Sequence, residues 1–410
     1  MFAVQSRENI HMSSPKLSRD LKLLVVFSAL RNVTDLFLGT FLISFIMQIA
    51  SDEILSVSVY KLFEYAATSA GFFLFAHWCK RYNKVAVFAL NLVPKILLLL
   101  CIVLLENRVA QYVMPLGILY GIGAAMYHLP MNLMVAEKST RQNVGAYMGA
   151  KMAASYAVKI FVPIALGFFI DTGSYVQVAH FLLILSILEL GLMLFLSPSR
   201  HRSKNPVDFR GFFQCMLRFP VIRNLFAMEI MRGFGTGLLA SVITMYTVYM
   251  FKTDLNLGIF TTLFSVFSII TSWLSGRFGK PRYYPYMILT SMFITLCGVS
   301  FFVFHTTPVT FLVYNFIYST SIVVLDQLCS VNMYKLSNSK CVTSNHRIEY
   351  FVFRDFALFI GRWIGYIGLM YIGVFGGYSW LRWYLVVITA SIMLAGWFTL
   401  KMLPYFKHRK

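Results

Sequence analysis

The sequence predicts an all-α integral membrane protein with twelve transmembrane helices, and three observations support this fold class. Of its 410 residues, 58% are hydrophobic and only 13% are charged, which leaves too little polar surface to cover a soluble protein. Apolar runs of about 20 residues, the length that crosses a bilayer as a helix, recur along the whole chain. Lysine and arginine are concentrated in alternate connections between these runs.

The apolar runs are separated mostly by short polar turns, such as SDEI after the first run and DTGSY after the fifth. One connection, residues 197–220, is long and lies in the middle of the chain. The predicted spans are residues 21–50, 55–77, 84–105, 111–135, 144–168, 175–196, 221–250, 257–275, 285–304, 308–333, 348–373 and 378–402.

The distribution of positive charge predicts that both chain termini are cytoplasmic. With this orientation the cytoplasmic segments hold 25 of the 36 lysines and arginines, whereas the outer connections and helix ends hold four: Lys61, Arg108, Lys252 and Arg382. The formal net charge of +20 follows from this asymmetry. We therefore interpret it as a topology signal that also attracts anionic membrane lipid, and not as a nucleic-acid surface.

Features repeated in the same order predict two pseudo-symmetric six-helix halves. The segment AHWCKRYNK (76–84) follows span 2, and SWLSGRFGK (272–280) follows span 8. Lys151 and Lys159 in span 5 have the same spacing as Arg354 and Arg362 in span 11. The predicted organisation is an N-terminal half over residues 1–196, a cytoplasmic inter-half loop over 197–220 and a C-terminal half over 221–410.

The chain resembles the major facilitator superfamily over essentially its whole length. The family's loop after helices 2 and 8 reads roughly G-x-x-x-D-R-x-G-R/K; the second copy here keeps Arg277, Gly279 and Lys280, and the first keeps Arg81 and Lys84. Neither copy has the acidic residue, and the helix-5 motif of drug–proton antiporters is absent, so no subfamily is identified. The resemblance implies a gating role for this loop and a cavity lined by helices 1, 4, 7 and 10, with helices 2, 5, 8 and 11 beside it.

Ionisable residues inside the predicted spans are the candidate functional residues, because a charge at membrane depth normally faces a protein interior or a water-filled cavity. Two of them, Lys95 and Glu189, lie on peripheral helices, where they are expected to pair with each other unless Lys95 reaches the membrane surface. The others lie on helices that the resemblance places around the cavity: Arg31, Asp35, Glu64, Lys151, Lys159, Glu229, Arg232, Asp326, Arg354, Asp355 and Arg362.

Three roles are assigned to these residues and to the loop arginines. The candidates for solute binding are Arg31, Lys159, Arg232 and Arg362. Glu64 and Asp326 are interpreted as carboxylates that stand alone in their spans, which makes them candidates for proton coupling; salt bridges to buried cations are the open alternative. The candidates for gating or ion pairing are Asp35, Arg81, Lys151, Glu229, Arg277, Arg354 and Asp355.

The spacing of the charges favours specific partners. Arg31 with Asp35, and Glu229 with Arg232, have the helical spacing of local ion pairs, which is compatible with solute contact as well. Arg354 and Lys151 either contact solute or pair with carboxylates of the opposite half. The cations that remain on helices 5 and 11 favour an anionic or zwitterionic solute, which Arg362 would bind with a forked hydrogen-bond pair and Lys159 with a point charge.

These observations predict a secondary active transporter that moves a small anionic or zwitterionic solute across a plasma membrane by alternating access. The short loops favour a bacterial inner membrane. We expect no enzymatic activity, metal or other cofactor, because the sequence has no metal-ligand cluster, nucleophile motif or phosphate-binding loop. The expected partners are the solute, membrane lipid and H⁺ as a candidate coupling ion, and the expected state is a monomer. Two alternatives stay open: an efflux pump or flippase for amphipathic or lipid-linked compounds, and a non-transporting membrane sensor or assembly partner.

Overall fold

A computed structural model describes residues 17–81, 83–138, 144–198, 207–279, 281–337 and 347–407, and this part of the chain is built from helices without a strand. The helices are α1 Arg19–Ile49, α2 Glu53–Arg81, α3 Lys84–Leu90 with Leu92–Leu105, α4 Val113–Lys138, α5 Val144–Thr172, α6 Tyr175–Met193, α7 Pro220–Phe251, α8 Asp254–Phe278, α9 Tyr284–Phe304, α10 Pro308–Ser337, α11 Arg347–Phe375 and α12 Gly377–Lys407.

The predicted fold class, an all-α membrane protein, is confirmed. Within the described ranges, ten helical stretches are long and apolar enough to cross a membrane. One of them, Lys84–Val135, has 52 residues and covers α3 together with most of α4. The helices coincide with the predicted spans, while the count of twelve crossings, the cytoplasmic termini and the boundaries of the two halves stay predictions.

Polar residues begin several of these helices by satisfying free backbone N–H groups. The Ser18 hydroxyl accepts a hydrogen bond from the Leu21 N–H at 3.3 Å, and Thr253 accepts one from Asn256 at 3.3 Å. The Asn83 side chain accepts from the Val85 N–H at 3.1 Å. Each cap replaces water as the partner of a terminal backbone group, so the short polar turns fix where the apolar helices start.

The first and seventh helices each contain one π-helical turn. The turn covers Phe37–Phe41 in α1 and Gly233–Gly237 in α7. Such a turn widens the helix locally and is often found at functional sites. Both turns follow charged residues, Asp35 in α1 and Arg232 in α7, so the backbone is irregular where these side chains meet other helices.

The buried apolar residues join the halves extensively at one end of the bundle and through a smaller contact nearer the other. The largest cluster, opposite the end that holds the termini, combines residues of both halves, among them Phe41, Ile46, Met245 and Tyr246. Near the termini each half has its own cluster, around Phe27 in the first and Leu225 in the second. A smaller cluster joins α2 to α11. The bundle is thus packed most continuously at the end opposite the termini.

The central connection is not entirely a loop, contrary to the prediction for residues 197–220. A short helix, Phe209–Arg218, which we call the linker helix, begins where the Asp208 carboxylate accepts a hydrogen bond from the Gly211 N–H at 2.8 Å. The Phe209 ring lies 5.2 Å from Phe73 of α2 and 5.8 Å from Phe353 of α11. The linker helix thus buries aromatic surface over this junction, which the length of the connection alone did not indicate.

Helices α5 and α8 approach closely enough to require glycine at their contact. A Cβ atom on Gly258 of α8 would lie 2.3 Å from the carbonyl oxygen of Pro163 in α5. Because the two helices belong to the two predicted halves, this contact is a packed seam between them.

We expect Gly258→Ala to lower the thermal stability of the purified protein, because the added methyl group forces α5 and α8 apart. Inserting a methyl group into a packed contact typically destabilises by about 1–3 kcal/mol. The matched control is Gly149→Ala in α5, where a Cβ atom would meet nothing within 4 Å. Thermal unfolding in detergent measures both variants, and equal melting temperatures would contradict this description of the seam.

Candidate solute-binding cavities

Two cavities between the helices contain most of the predicted site residues. Cavity A, about 250 Å³, lies between α1, α2, α4 and α11. Its charged lining residues are Arg31, Glu64, Arg354, Asp355 and Arg362.

Cavity B, about 530 Å³, lies between α5, α7, α8 and α10. Its charged lining residues are Lys159, Arg232 and Asp326. Uncharged polar groups complete the lining, including the hydroxyls of Tyr156 and Ser268. The predicted solute-binding residues are therefore brought to cavities, but not all to the same one.

Arg31 forms the local ion pair that its spacing predicted. Its Nε lies 2.8 Å from the Asp35 carboxylate, and its side chain is almost fully buried. The guanidinium also lies over the rings of Tyr120 and Tyr127, at 5.4 and 5.1 Å from their centroids. Tyr120 donates a hydrogen bond to Asp35 at 2.8 Å. The charge of Arg31 is thus compensated before any solute arrives.

Glu64 does not stand alone, and this corrects the interpretation of its sequence. The Lys61 ammonium lies 2.8 Å from the Glu64 carboxylate, and both side chains are buried. Lys61, one of the four outer cations, lies three residues before Glu64, which is the spacing of a helical ion pair. Burial makes this pairing necessary, because either charge alone would be strongly unfavourable inside the bundle.

Asp326 is also paired, although its partner is on another helix. The Nε atom of Arg232 in α7 lies 2.8 Å from the Asp326 carboxylate of α10. Arg232 also contacts Glu229 at 3.2 Å, as its spacing predicted. The two carboxylates differ in access to water, because the Asp326 side chain is 47% exposed and that of Glu229 has no exposed surface.

Arg354 is paired within its own half. The prediction that its partner is a carboxylate of the opposite half is therefore not met. It contacts Asp355 at 2.6 Å and Glu229 of α7 at 3.3 Å. The packing of α11 against α7 brings these groups together, which the sequence could not specify.

Arg362 differs from the other arginines of cavity A, because within the described ranges it makes no ion pair with a carboxylate. Its guanidinium carbon lies 4.4 Å from the centroid of the Tyr65 ring and 5.4 Å from that of Phe359. Its Nε is buried and has no hydrogen-bond partner among the described protein atoms. The aromatic rings hold the guanidinium plane, and among the described residues no carboxylate pairs with its charge.

Lys159 lines cavity B, and this corrects the expectation that it shares a site with Arg362. The cause is the packing, which places α5 against α8 and α11 against α2. In the described part of the chain Lys159 makes no ion pair. Lys151, a predicted gate residue, lies about two helical turns earlier in α5 and is half-buried. The loop arginines lie outside both cavities: Arg81 ends α2, and Arg277 lies over the Trp273 ring at 5.2 Å.

The two peripheral charges pair as expected. The Lys95 ammonium in α3 lies 2.5 Å from the Glu189 carboxylate in α6, and both are buried. Neither lines cavity A or B. A buried charge in this chain is therefore not by itself evidence of a solute site.

Hydrogen bonds between the halves close the end of the bundle opposite the termini, and sequence reasoning did not single out their residues. Gln48 of α1 donates to the Asp254 carboxylate of α8 at 2.9 Å, and Tyr175 of α6 donates to the same oxygen at 2.6 Å. Tyr378 of α12 donates to Glu53 of α2 at 2.6 Å. No short sequence spacing connects these residues, since most of them come together only when the halves dock.

The sequence profile of the Major Facilitator Superfamily matches residues 25–344, so the chain belongs to this superfamily. An uncharacterized protein of Bacillus subtilis (strain 168), YqgE, is 22% identical over 324 residues, which cover 76% of this chain and 73% of that protein. Multi-pass insertion in a membrane follows from the family and from the apolar helices.

Solved structures share the fold. The crystal structure of a D-xylose–proton symporter superposes with a TM-score of 0.72 at 13% identity, covering 93% of this chain and 97% of that one. The human organic anion transporter MFSD10 (TETRAN) gives a TM-score of 0.62 at 11% identity, covering 93% and 99%. At such low identity these likenesses concern the fold alone.

We expect Lys61→Met to destabilise the protein, because it leaves the Glu64 carboxylate buried without a counter-charge. Removing one partner of a buried ion pair typically lowers the free energy of unfolding by about 3–5 kcal/mol, whereas replacing both partners with apolar residues lowers it much less. The double variant Lys61→Met with Glu64→Met should therefore be the more stable of the two. Thermal unfolding in detergent measures the difference, and a double variant less stable than the single one would refute the pairing.

Proposed function

We propose that the protein is a transporter, not an enzyme, and that it moves a small anionic or zwitterionic solute across a plasma membrane by alternating access. Membership of the superfamily supports the transport class. A bacterial inner membrane and a monomeric state are part of the proposal and rest on the sequence features described above.

The observation that carries the choice of solute is Arg362. It faces cavity A without a carboxylate partner among the described residues, whereas Arg31 and Arg354 in the same cavity are paired. A buried cation gains most from a ligand that brings the missing negative group. Glu64 and Asp355 also line cavity A, so the amino group of a zwitterion would find acceptors there.

The aromatic residues in the lining of cavity A support a solute with some apolar surface. Tyr65, Phe72, Tyr120 and Phe359 line cavity A beside the charged groups. This aromatic content is the one feature that favours the alternative, an efflux pump or flippase for amphipathic compounds. A ligand-stabilisation screen of anionic, cationic and amphipathic compounds, using the purified protein in lipid nanodiscs, separates the two.

The test compound is the anion that stabilises the protein most in this screen. Arg362→Lys should lower its affinity by about tenfold or more, because lysine keeps the positive charge but cannot form the two parallel hydrogen bonds of a guanidinium. Arg31→Lys is the matched control: it lines the same cavity, is already paired, and should change the affinity much less. Equilibrium binding in nanodiscs measures both. Unchanged affinity in Arg362→Lys, together with stabilisation by organic cations in the screen, would favour a cationic solute instead.

We propose proton coupling through Asp326, the more accessible of the two candidate carboxylates. Its side chain is 47% exposed in cavity B, whereas Glu64 is buried against Lys61. A carboxylate that exchanges protons during transport needs contact with water in at least one state. Glu64 stays the second candidate.

Asp326→Asn should abolish solute uptake or efflux driven by a pH gradient and leave solute exchange intact, because exchange needs no net proton movement. Proteoliposomes loaded with the stabilising solute measure both reactions, and Glu64→Gln is tested beside it. Full gradient-driven transport in both variants would exclude both carboxylates and make sodium, or no coupling ion, the better explanation.

A further inference from the structure

Five alternating charges connect cavity B to cavity A without a break. We call them the ion chain: Asp326, Arg232, Glu229, Arg354 and Asp355. In that order the successive contacts are 2.8, 3.2, 3.3 and 2.6 Å. Asp326 and Arg232 line cavity B, and Arg354 and Asp355 line cavity A.

The ion chain holds one more negative than positive charge. Three carboxylates share two guanidiniums, and the central one, Glu229, contacts both guanidiniums and has no exposed surface. Further cations face its two ends, Lys159 beside Asp326 in cavity B and Arg362 beside Asp355 in cavity A, so the carboxylates at the ends are also balanced from outside the chain. Asp326 is the most exposed of the three carboxylates, at 47% against 19% for Asp355, so it is the member that a proton reaches most easily.

Asp326 is the only carboxylate among the described lining residues of cavity B. Arg232 of α7 contacts it directly, and Lys159 and Tyr156 of α5 line the same cavity. Its own helix contributes Tyr318 and Gln327, and α8 contributes serines. Asp326 also lines a small adjoining cavity. There α10 contributes Cys329, and the lining residues of α12 are uncharged. No second acid in this lining competes for the proton.

We propose that the ion chain makes the two cavities one electrostatic unit, in which neutralising Asp326 makes cavity A more positive. With Asp326 neutral, Arg232 is balanced by Glu229, and Arg354 keeps only Asp355 as its full partner. Arg354 and Arg362 then offer more uncompensated charge to an anion in cavity A. Under the proposed function, on which this step rests, proton and anion favour each other's binding, and the linkage is reciprocal.

A double-mutant cycle without any solute tests the connection along the chain. Asp326→Asn alone, or Asp355→Asn alone, leaves two carboxylates for two guanidiniums, whereas the double variant leaves Glu229 alone with both. The unfolding constant of the double variant should therefore exceed the value expected from the two single variants by about fivefold or more. The control cycle combines Asp326→Asn with Asp35→Asn, whose carboxylate is paired with Arg31 outside the chain and should be additive.

A cysteine in cavity A tests the sign of the effect, and it also decides the matter where the double variant does not fold. Asn132 lines cavity A and is exposed, so Asn132→Cys is introduced after the six native cysteines are replaced. A more positive cavity raises the thiolate fraction. Asp326→Asn should then speed the reaction of this thiol with N-ethylmaleimide at pH 7 about threefold. This factor corresponds to lowering the pKa of the introduced thiol by about half a unit.

The control for this measurement is Glu106→Gln, which removes an exposed carboxylate at the opposite end of the bundle. It should leave the reaction rate unchanged. Equal rates in Asp326→Asn and Glu106→Gln, or an additive cycle between Asp326 and Asp355, would overturn the proposal. Because neither measurement uses a solute, these results are independent of whether the transported compound is an anion.

Discussion

The Glu229 carboxylate has no exposed surface, and two arginines from two helices contact it. Arg232 reaches it from the same helix, and Arg354 reaches it from α11. A carboxylate in this position is tolerated only while these partners stay in place, since an unpaired buried charge is strongly destabilising. The positions of α7, α10 and α11 relative to each other therefore depend on this contact and on the Arg232 contact to Asp326.

The same constraint explains how the first half is arranged. Lys61 and Glu64 on α2, and Arg31 and Asp35 on α1, are satisfied largely within their own helices. Tyr120 of α4 then adds a hydrogen bond to Asp35 and an aromatic face to Arg31. Beside cavity A, the first half therefore pairs its charges within single helices. The second half connects its charges there across three helices. Cavity A lies where these two arrangements meet, and Arg362 is the cation there that neither arrangement neutralises.

Alternating access requires the halves to separate at one end while they stay joined at the other. The continuous apolar cluster and the hydrogen bonds to Asp254 and Glu53 join them opposite the termini. Toward the termini each half has its own apolar cluster, and direct contact is concentrated at the aromatic groups of α2, α11 and the linker helix. This distribution of contacts is consistent with a state that opens toward the termini.

The sequence by itself determined the helices, because runs of apolar residues punctuated by polar turns can be satisfied in lipid only as helices. It also determined the charge pairs within one helix, Arg31 with Asp35 and Glu229 with Arg232, because helical spacing brings them together. The Lys61–Glu64 pair could have been found in the same way.

Only the tertiary structure decided the partners of Asp326 and Arg354, the separation of Lys159 from Arg362, and the hydrogen bonds that close the bundle. The physical reason is that these contacts join residues far apart in the chain, and no local periodicity encodes how two helices are rotated against each other. The free guanidinium of Arg362 is therefore a property of the packing, while its presence in the membrane is a property of the sequence.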